Sequence, residues 1–148
     1  MFHIILFEPE IPPNTGNIIR LSVNTGFGLH LIRPLGFSVD DKNLHRAGMD
    51  YIKKTDFNVW NNLDDCLNEL SPSSIYSVST KGETLYTDLK YNRGDTFIFG
   101  PESRGLSKNI RNQYSSIYMP MRSKGRSLNL ANAVSVITYE VWRQLGFN

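Results

Sequence analysis

Short apolar or β-branched runs alternate with helical patterns along the whole of this chain, and that alternation restricts its fold more than any other feature. HIILF (3–7), LHLI (29–32), FNVW (57–60), IYSVS (75–79), TFIFG (96–100) and SIYMP (116–120) read as strands. Helical patterns begin near Asn17, Asp41, Leu63 and Ser107, and another closes the chain. Strands apolar at nearly every position need cover on both faces. The pattern therefore predicts an α/β fold, a mostly parallel sheet with helices on both faces. With 148 residues, no repeat, no low-complexity tract and no linker, one domain spanning 1–148 is expected. Residues 81–94 show no clear period and read as loop.

The closing helix, from about Leu128 to Leu145, carries two apolar flanks. Leu130, Val134, Ile137, Val141 and Leu145 form one stripe at helical spacing, and Val136, Tyr139 and Trp142 form a second. The stripe suits the core. The second flank suits either a deeply buried helix or a contact with a second subunit.

Composition excludes several classes. The single cysteine, Cys66, has no partner for an internal disulfide, and His3, His30 and His45 lack ligand-like spacing, so no metal is expected and a reducing, cytoplasmic setting is. No run approaches the roughly 18 apolar residues that cross a bilayer, and the N-terminal residues have no basic leader, so no membrane partner is expected. A formal charge of +2 permits a polyanionic partner without demanding one.

Glycine-rich turns after strands are where α/β folds hold phosphates. TGFGLH has His30 and Leu31 where a dinucleotide fingerprint wants its third glycine, and it precedes a strand instead of opening a helix. GPESRGLS sets Gly100 and Gly105 at P-loop spacing but puts Leu106 in place of the phosphate lysine and Glu102 where phosphates would lie. Neither is a nucleotide loop of those kinds. FGPESRGLS instead offers a strand end and a turn open to a small ligand through its backbone. MPMRSKGRSLNLANAV repeats that build: a strand ending at Pro120, a basic loop with Arg122, Lys124 and Arg126, then Ser127 and Asn129 as capping residues for the last helix.

A third segment, PPNTGNIIR (12–20), stops the first strand with Pro12 and Pro13. Asn14 or Thr15 is then expected to cap a helix that buries Ile18, Ile19, Leu21 and Val23. Asn17, Arg20 and Asn24 fall on its other face, either as a solvated stripe or as part of a site.

Together NTGNIIR (14–20), FGPESRGL (99–106) and MPMRSKGRSLNLANAVSVITYEVWRQLG (119–146) resemble the ordered motifs of the SPOUT superfamily of RNA methyltransferases, in its ribose-methylating branch. LFEPEIPPNTGNIIRLSVNTGF and DDKNLHRAGMDY extend the resemblance over nearly the whole chain. It implies a C-terminal trefoil knot, S-adenosyl-L-methionine as cofactor, a homodimer, and methylation of the ribose 2′-hydroxyl at the wobble cytidine or uridine of leucine tRNAs. A knot is something pattern rules argue against. The positions matching the cofactor motif are Val78, Gly100, Met119, Ser127 and Leu128. Arg20, Asn14, Asn17, Glu102 and Asn129 match the catalytic centre, and Arg46, Lys81, Arg104, Arg122, Lys124, Arg126 and Tyr139 are the candidates for RNA contact. Because arginine holds its proton so firmly, it is a costly base; orienting the hydroxyl and stabilising the alkoxide suits Arg20 better. The same chemistry on another tRNA or rRNA nucleotide, and a non-catalytic RNA-binding module of the same fold, are the competing expectations.

Overall fold

The computed structural model describes residues 1–48, 56–123 and 125–148. Its strands are β1 His3–Phe7, β2 Gly28–Ile32, β3 Asn58–Trp60, β4 Ile75–Val78, β5 Thr84–Leu85, β6 Thr96–Phe99 and β7 Ser115–Tyr118. The helices are α1 Pro12–Thr25, α2 Lys42–Ala47, α3 Leu63–Leu70, α4 Lys108–Gln113 and α5 Leu130–Gln144. All strands pair in parallel, in the order β3-β2-β1-β6-β4-β7-β5. The expected α/β class stands, and the sheet is parallel throughout the described residues.

Strand periodicity sorts the core into two layers. Ile4 and Leu6 of β1, Leu29 and Leu31 of β2, and Phe97 and Phe99 of β6 pack with Ile18 and Ile19 of α1, Leu44 of α2 and the α5 stripe. Ile5, Ile32 and Ile98 point the other way, onto Cys66 of α3 and Ile110 of α4. Burial pushes the Cys66 thiol up to about 12, so this lone cysteine is a core residue, not a nucleophile.

Several local readings need correction. α1 begins at Pro12, not near Asn17, and its N-cap Ile11 makes no side-chain capping bond. Prolines fit there because the first-turn N–H groups have no intrahelical acceptor. Asn14 and Thr15 are thus inside the helix and buried; neither caps it. The stretch 81–94 contains the two-residue strand β5 and a 3-10 turn over Tyr86–Asp88, too short for any period to reveal. α5 starts at Leu130, with Asn129 accepting from the Asn132 N–H as its cap. On α1, Val23 is 51% exposed, contrary to the apolar side expected for it.

A partly buried aromatic chain ties β1, β2 and β3 together. Trp60 Nε1 donates to His30 Nδ1 at 3.2 Å. His30 therefore carries its proton on Nε2, which lies 3.2 Å from His3 Nδ1. Burial, then the neighbouring His3, push the His30 pKa down from 6.5 to about 4, and burial lowers that of His3 as well. The sign follows. In the unfolded chain these imidazoles take up protons below pH 6.5, while folded His30 stays neutral down to about 4. His30 should thus remove about 1.4 kcal/mol of stability per pH unit across that window, with His3 adding to the loss in the same direction. Urea midpoints measured from pH 7.5 downward check this, and His30→Gln should flatten the profile.

Candidate functional site

Because the sheet is parallel, the segments leaving β1, β6, β4 and β7, which are neighbours in it, emerge along one edge. After β1 the chain crosses towards β2, and after β6 it crosses the other way, towards β7. Between them lies a switch point, the place where open α/β sheets bind ligands.

Two cavities open there. The larger, of about 600 Å³, is walled by Val78–Lys81, Phe99–Leu106, Met119 and Gly125–Leu130. The smaller, of about 550 Å³, lies between α1 and α5 and is walled by Asn17, Arg20, Asn24, Asn132 and Ser135. Asn14 and Asn129 belong to both, so they form the partition.

One carboxylate holds that partition. Glu102 Oε2 accepts from the Glu10 N–H at 2.7 Å, and Oε1 accepts from the Ile11 N–H at 3.1 Å and from Asn14 Nδ2 at 3.4 Å. An ionised carboxylate only accepts, so Asn14 turns its nitrogen to Glu102 and its oxygen away. That oxygen accepts from Asn129 Nδ2 at 2.8 Å. Asn129 Oδ1 is then left to cap α5, at 3.3 Å from the Asn132 nitrogen. The orientation of both amides descends from Glu102.

Gly100 explains the shape of the larger cavity. A β-carbon there would stand 2.3 Å from the Leu106 nitrogen and 2.4 Å from the Gly105 carbonyl carbon, so only glycine lets the loop close over the end of β6. Arg20 is exposed on α1 and lines the smaller cavity beside neutral amides. Among the described residues it has no hydrogen-bond or ion-pair partner, which leaves its planar fork free for an oxygen ligand.

The pattern of the SpoU rRNA Methylase family matches residues 1–139. The chain belongs to this family. The tRNA (cytidine(34)-2′-O)-methyltransferase of Methylovorus glucosotrophus (strain SIP3-4) is 47% identical over 150 residues, covering 99% of this chain and 97% of its own. A chain from a structural study of 2-OH methylation of C/U34 on tRNA superposes with a TM-score of 0.92 at 38% identity, covering 100% of this chain and 98% of that one. The SpoU methyltransferase AviRb from Streptomyces viridochromogenes, in complex with the cofactor AdoMet, gives a TM-score of 0.86 at 23% identity over 99% of this chain and 61% of its own, a likeness of fold.

In this SpoU methylase the sequence candidates fall as follows. Val78, Gly100, Met119, Ser127 and Leu128 all line the larger cavity, with Glu102. Asn17 and Arg20 line the smaller one. Of the basic candidates, Lys81, Arg104 and Arg126 reach the wall of the larger cavity, and Arg104 also forms an ion pair with Glu8. Arg46 on α2 and Arg122 in the loop after β7 are exposed and line neither cavity. Tyr139 is 51% exposed on α5, so the core alternative for it falls away. Lys124 and part of DDKNLHRAGMDY lie outside the described residues.

The sequence reading passed over Asn132 and Ser135 as wall residues of the smaller cavity and Arg111 as one of the larger. Asn132 and Ser135 could have been found from helical spacing, since they follow Asn129 at i+3 and i+6 on the same side of α5. Nothing in the sequence marks Arg111.

The partition makes a stability prediction. Asn129→Asp keeps an acceptor for the α5 cap but faces Asn14 Oδ1 with a second oxygen. Turning Asn14 over would point its oxygen at Glu102, so no rotamer satisfies both ends. The variant should lose about 1–3 kcal/mol, read as a lowered urea midpoint at neutral pH.

Proposed function

We propose that this SpoU methylase transfers a methyl group from S-adenosyl-L-methionine to the ribose 2′-hydroxyl of the wobble nucleotide, a cytidine or modified uridine, of leucine tRNAs. The observation that carries the reading is the shared Asn14–Asn129 wall between a roomy cleft and a cavity holding an arginine that has no partner among the described residues. Two reactants can then meet across one partition. The name of the Methylovorus relative, matched over nearly its full length, supports the choice of reaction and nucleotide.

The larger cavity fits the cofactor. Its volume of about 600 Å³ lies within the range of small-molecule sites, and Val78, Met119, Leu128, Leu130 and Ala133 give apolar surface for an adenine ring. When bound, the cofactor supplies a methyl group activated on a sulfonium centre. Gly100 lets its backbone approach closely, Ser127 offers a hydroxyl, and Glu102 places a carboxylate on the wall nearest the other cavity. Arg20 directs the ribose hydroxyl and stabilises the negative charge that develops on its oxygen as the methyl group arrives and the hydroxyl proton leaves to solvent. Asn17 lines the same pocket, and Asn14 with Asn129 keeps the two sites in register. Arg46, Lys81, Arg104, Arg122, Lys124 and Arg126 serve RNA phosphates, and Tyr139 serves the RNA or the subunit contact.

The reading includes a homodimer through α1 and α5, a C-terminal knot, a single domain over 1–148 and a cytoplasmic setting. The dimer is supported by apolar side chains left on those helices, with Val23 51%, Val136 39% and Tyr139 51% exposed. Support for the knot comes from β7, which lies between β4 and β5, while a β-carbon at Gly82 would stand 2.4 Å from the Ile117 backbone: the chain leaving β4 presses against a strand formed later.

Incubation with labelled S-adenosyl-L-methionine and total tRNA, followed by nucleoside analysis, tests the reaction; no 2′-O-methylated wobble nucleoside would refute it. Binding of S-adenosyl-L-methionine is expected at about micromolar strength, near −8 kcal/mol. Arg20→Ala should cut methyl transfer by roughly a hundredfold or more while cofactor affinity survives. Arg20→Lys should not restore it, because lysine keeps the charge and loses the fork. Sedimentation at micromolar concentration should give a dimer mass, and a monomer would contradict the subunit contact.

A further inference from the structure

We propose that Glu10 is a positioning residue for methyl transfer, acting through Ser103; the inference rests on the reaction proposed above. Ser103 donates to Glu10 Oε1 from its backbone nitrogen at 2.9 Å and from its hydroxyl at 2.8 Å, and the hydroxyl also lies 2.9 Å from Oε2. In return, the Glu10 N–H donates to Glu102 at 2.7 Å. Each turn thus presents a carboxylate to the N–H groups of the other. Ser103, through its backbone and then its hydroxyl, holds the Glu10 carboxyl below the usual range.

Two further contacts close the arrangement. Glu8, with φ at 51° in the left-handed region that side-chain-bearing residues seldom adopt, pairs with Arg104. On the far side, Gly36 donates to the Pro9 carbonyl at 2.9 Å, and a β-carbon on it would stand 2.7 Å from Glu10 Cα. The Glu10 backbone is therefore boxed between the segment after β2 and the Glu102 carboxylate.

The position of the clamp carries the argument. It bridges the turns after β1 and β6, where the connections part in opposite directions. One turn leads into α1 and Arg20; the other forms the Phe99–Leu106 wall of the larger cavity. Whatever sets the spacing of these turns sets the distance from the oxyanion donor to the methyl donor, and a displacement of about 1 Å there can cost roughly a hundredfold in rate. Global stability asks little of these residues. Neither Glu10 nor Ser103 belongs to either core layer, Ser103 and Arg104 are exposed, and polar contacts between exposed groups contribute little to folding.

The test uses the full chain and compares Glu10→Ala, Glu10→Gln, Ser103→Ala and the double variant Glu10→Ala/Ser103→Ala. Glu10→Ala should lower kcat by roughly ten- to a hundredfold, with KM for tRNA and the Kd of S-adenosylhomocysteine held within about twofold. Glu10→Gln, which keeps an acceptor for Ser103, should recover most of the rate. The double variant should be no slower than Glu10→Ala alone, because Ser103→Ala takes away only the hydroxyl contacts that Glu10→Ala has already removed. Wild-type kcat in Glu10→Ala, losses that multiply in the double variant, or a loss that follows only the unfolded fraction would each overturn the role while leaving the reaction intact. A wild type that binds S-adenosylhomocysteine yet methylates no tRNA would overturn the proposed reaction, and this role with it.

Discussion

The candidate site depends on where the Glu102 carboxylate stands. It accepts two backbone N–H groups at the entrance to α1 and one side-chain amide from the first turn of that helix. α1 has no side-chain cap of its own and no acidic residue in its first turn. The negative charge that a helix N-terminus favours is supplied instead by the turn after β6. Charge-assisted hydrogen bonds to backbone donors are among the stronger and more directional contacts available, which suits a link between segments far apart in the chain. Remove that acceptor and Asn14 has no reason to face one way; without Asn14 held, Asn129 loses its partner across the partition.

Everything else brings that carboxylate to the helix. A parallel sheet buried on both faces delivers the ends of β1, β6, β4 and β7 to one edge, and two apolar layers hold it rigid. Glycine at position 100 allows the loop after β6 to fold back on itself instead of projecting into solvent. Gly16 acts similarly where helices meet: a β-carbon there would fall 2.4 Å from the Leu44 carbonyl oxygen, so α2 can press directly on α1. These are packing facts with a consequence for chemistry, since α1 carries Arg20.

Much of this was legible beforehand, for identifiable reasons. The strands were visible because buried parallel strands are apolar at consecutive positions, and α5 because Leu130, Val134, Ile137 and Val141 repeat at helical spacing and are indeed buried. Asn17, Arg20 and Asn24 could be grouped on one side of a helix by counting residues, and all of them line the smaller cavity. The beginning of α1 was misjudged because Asn14 and Thr15 look like caps in isolation. A side chain's best partner depends on what lies beyond the helix, and for Asn14 that is Glu102 and Asn129. β5 was missed because two residues hold no pattern and its parallel partner, β7, lies far along the chain.

By itself, then, the sequence determined the class of fold, the places where strands give way to ligand-holding turns and the segments resembling a methyltransferase's motifs, because these depend on local pattern and residue type. Tertiary structure alone decided that Asn14 and Asn129 would share a wall, that Arg20 would have no carboxylate among its described partners, and that Glu10 and Ser103 would clasp across the switch point. Such pairings join residues separated by most of the chain. Their hydrogen bonds are specified by strand order and loop direction, which no local run of residues encodes.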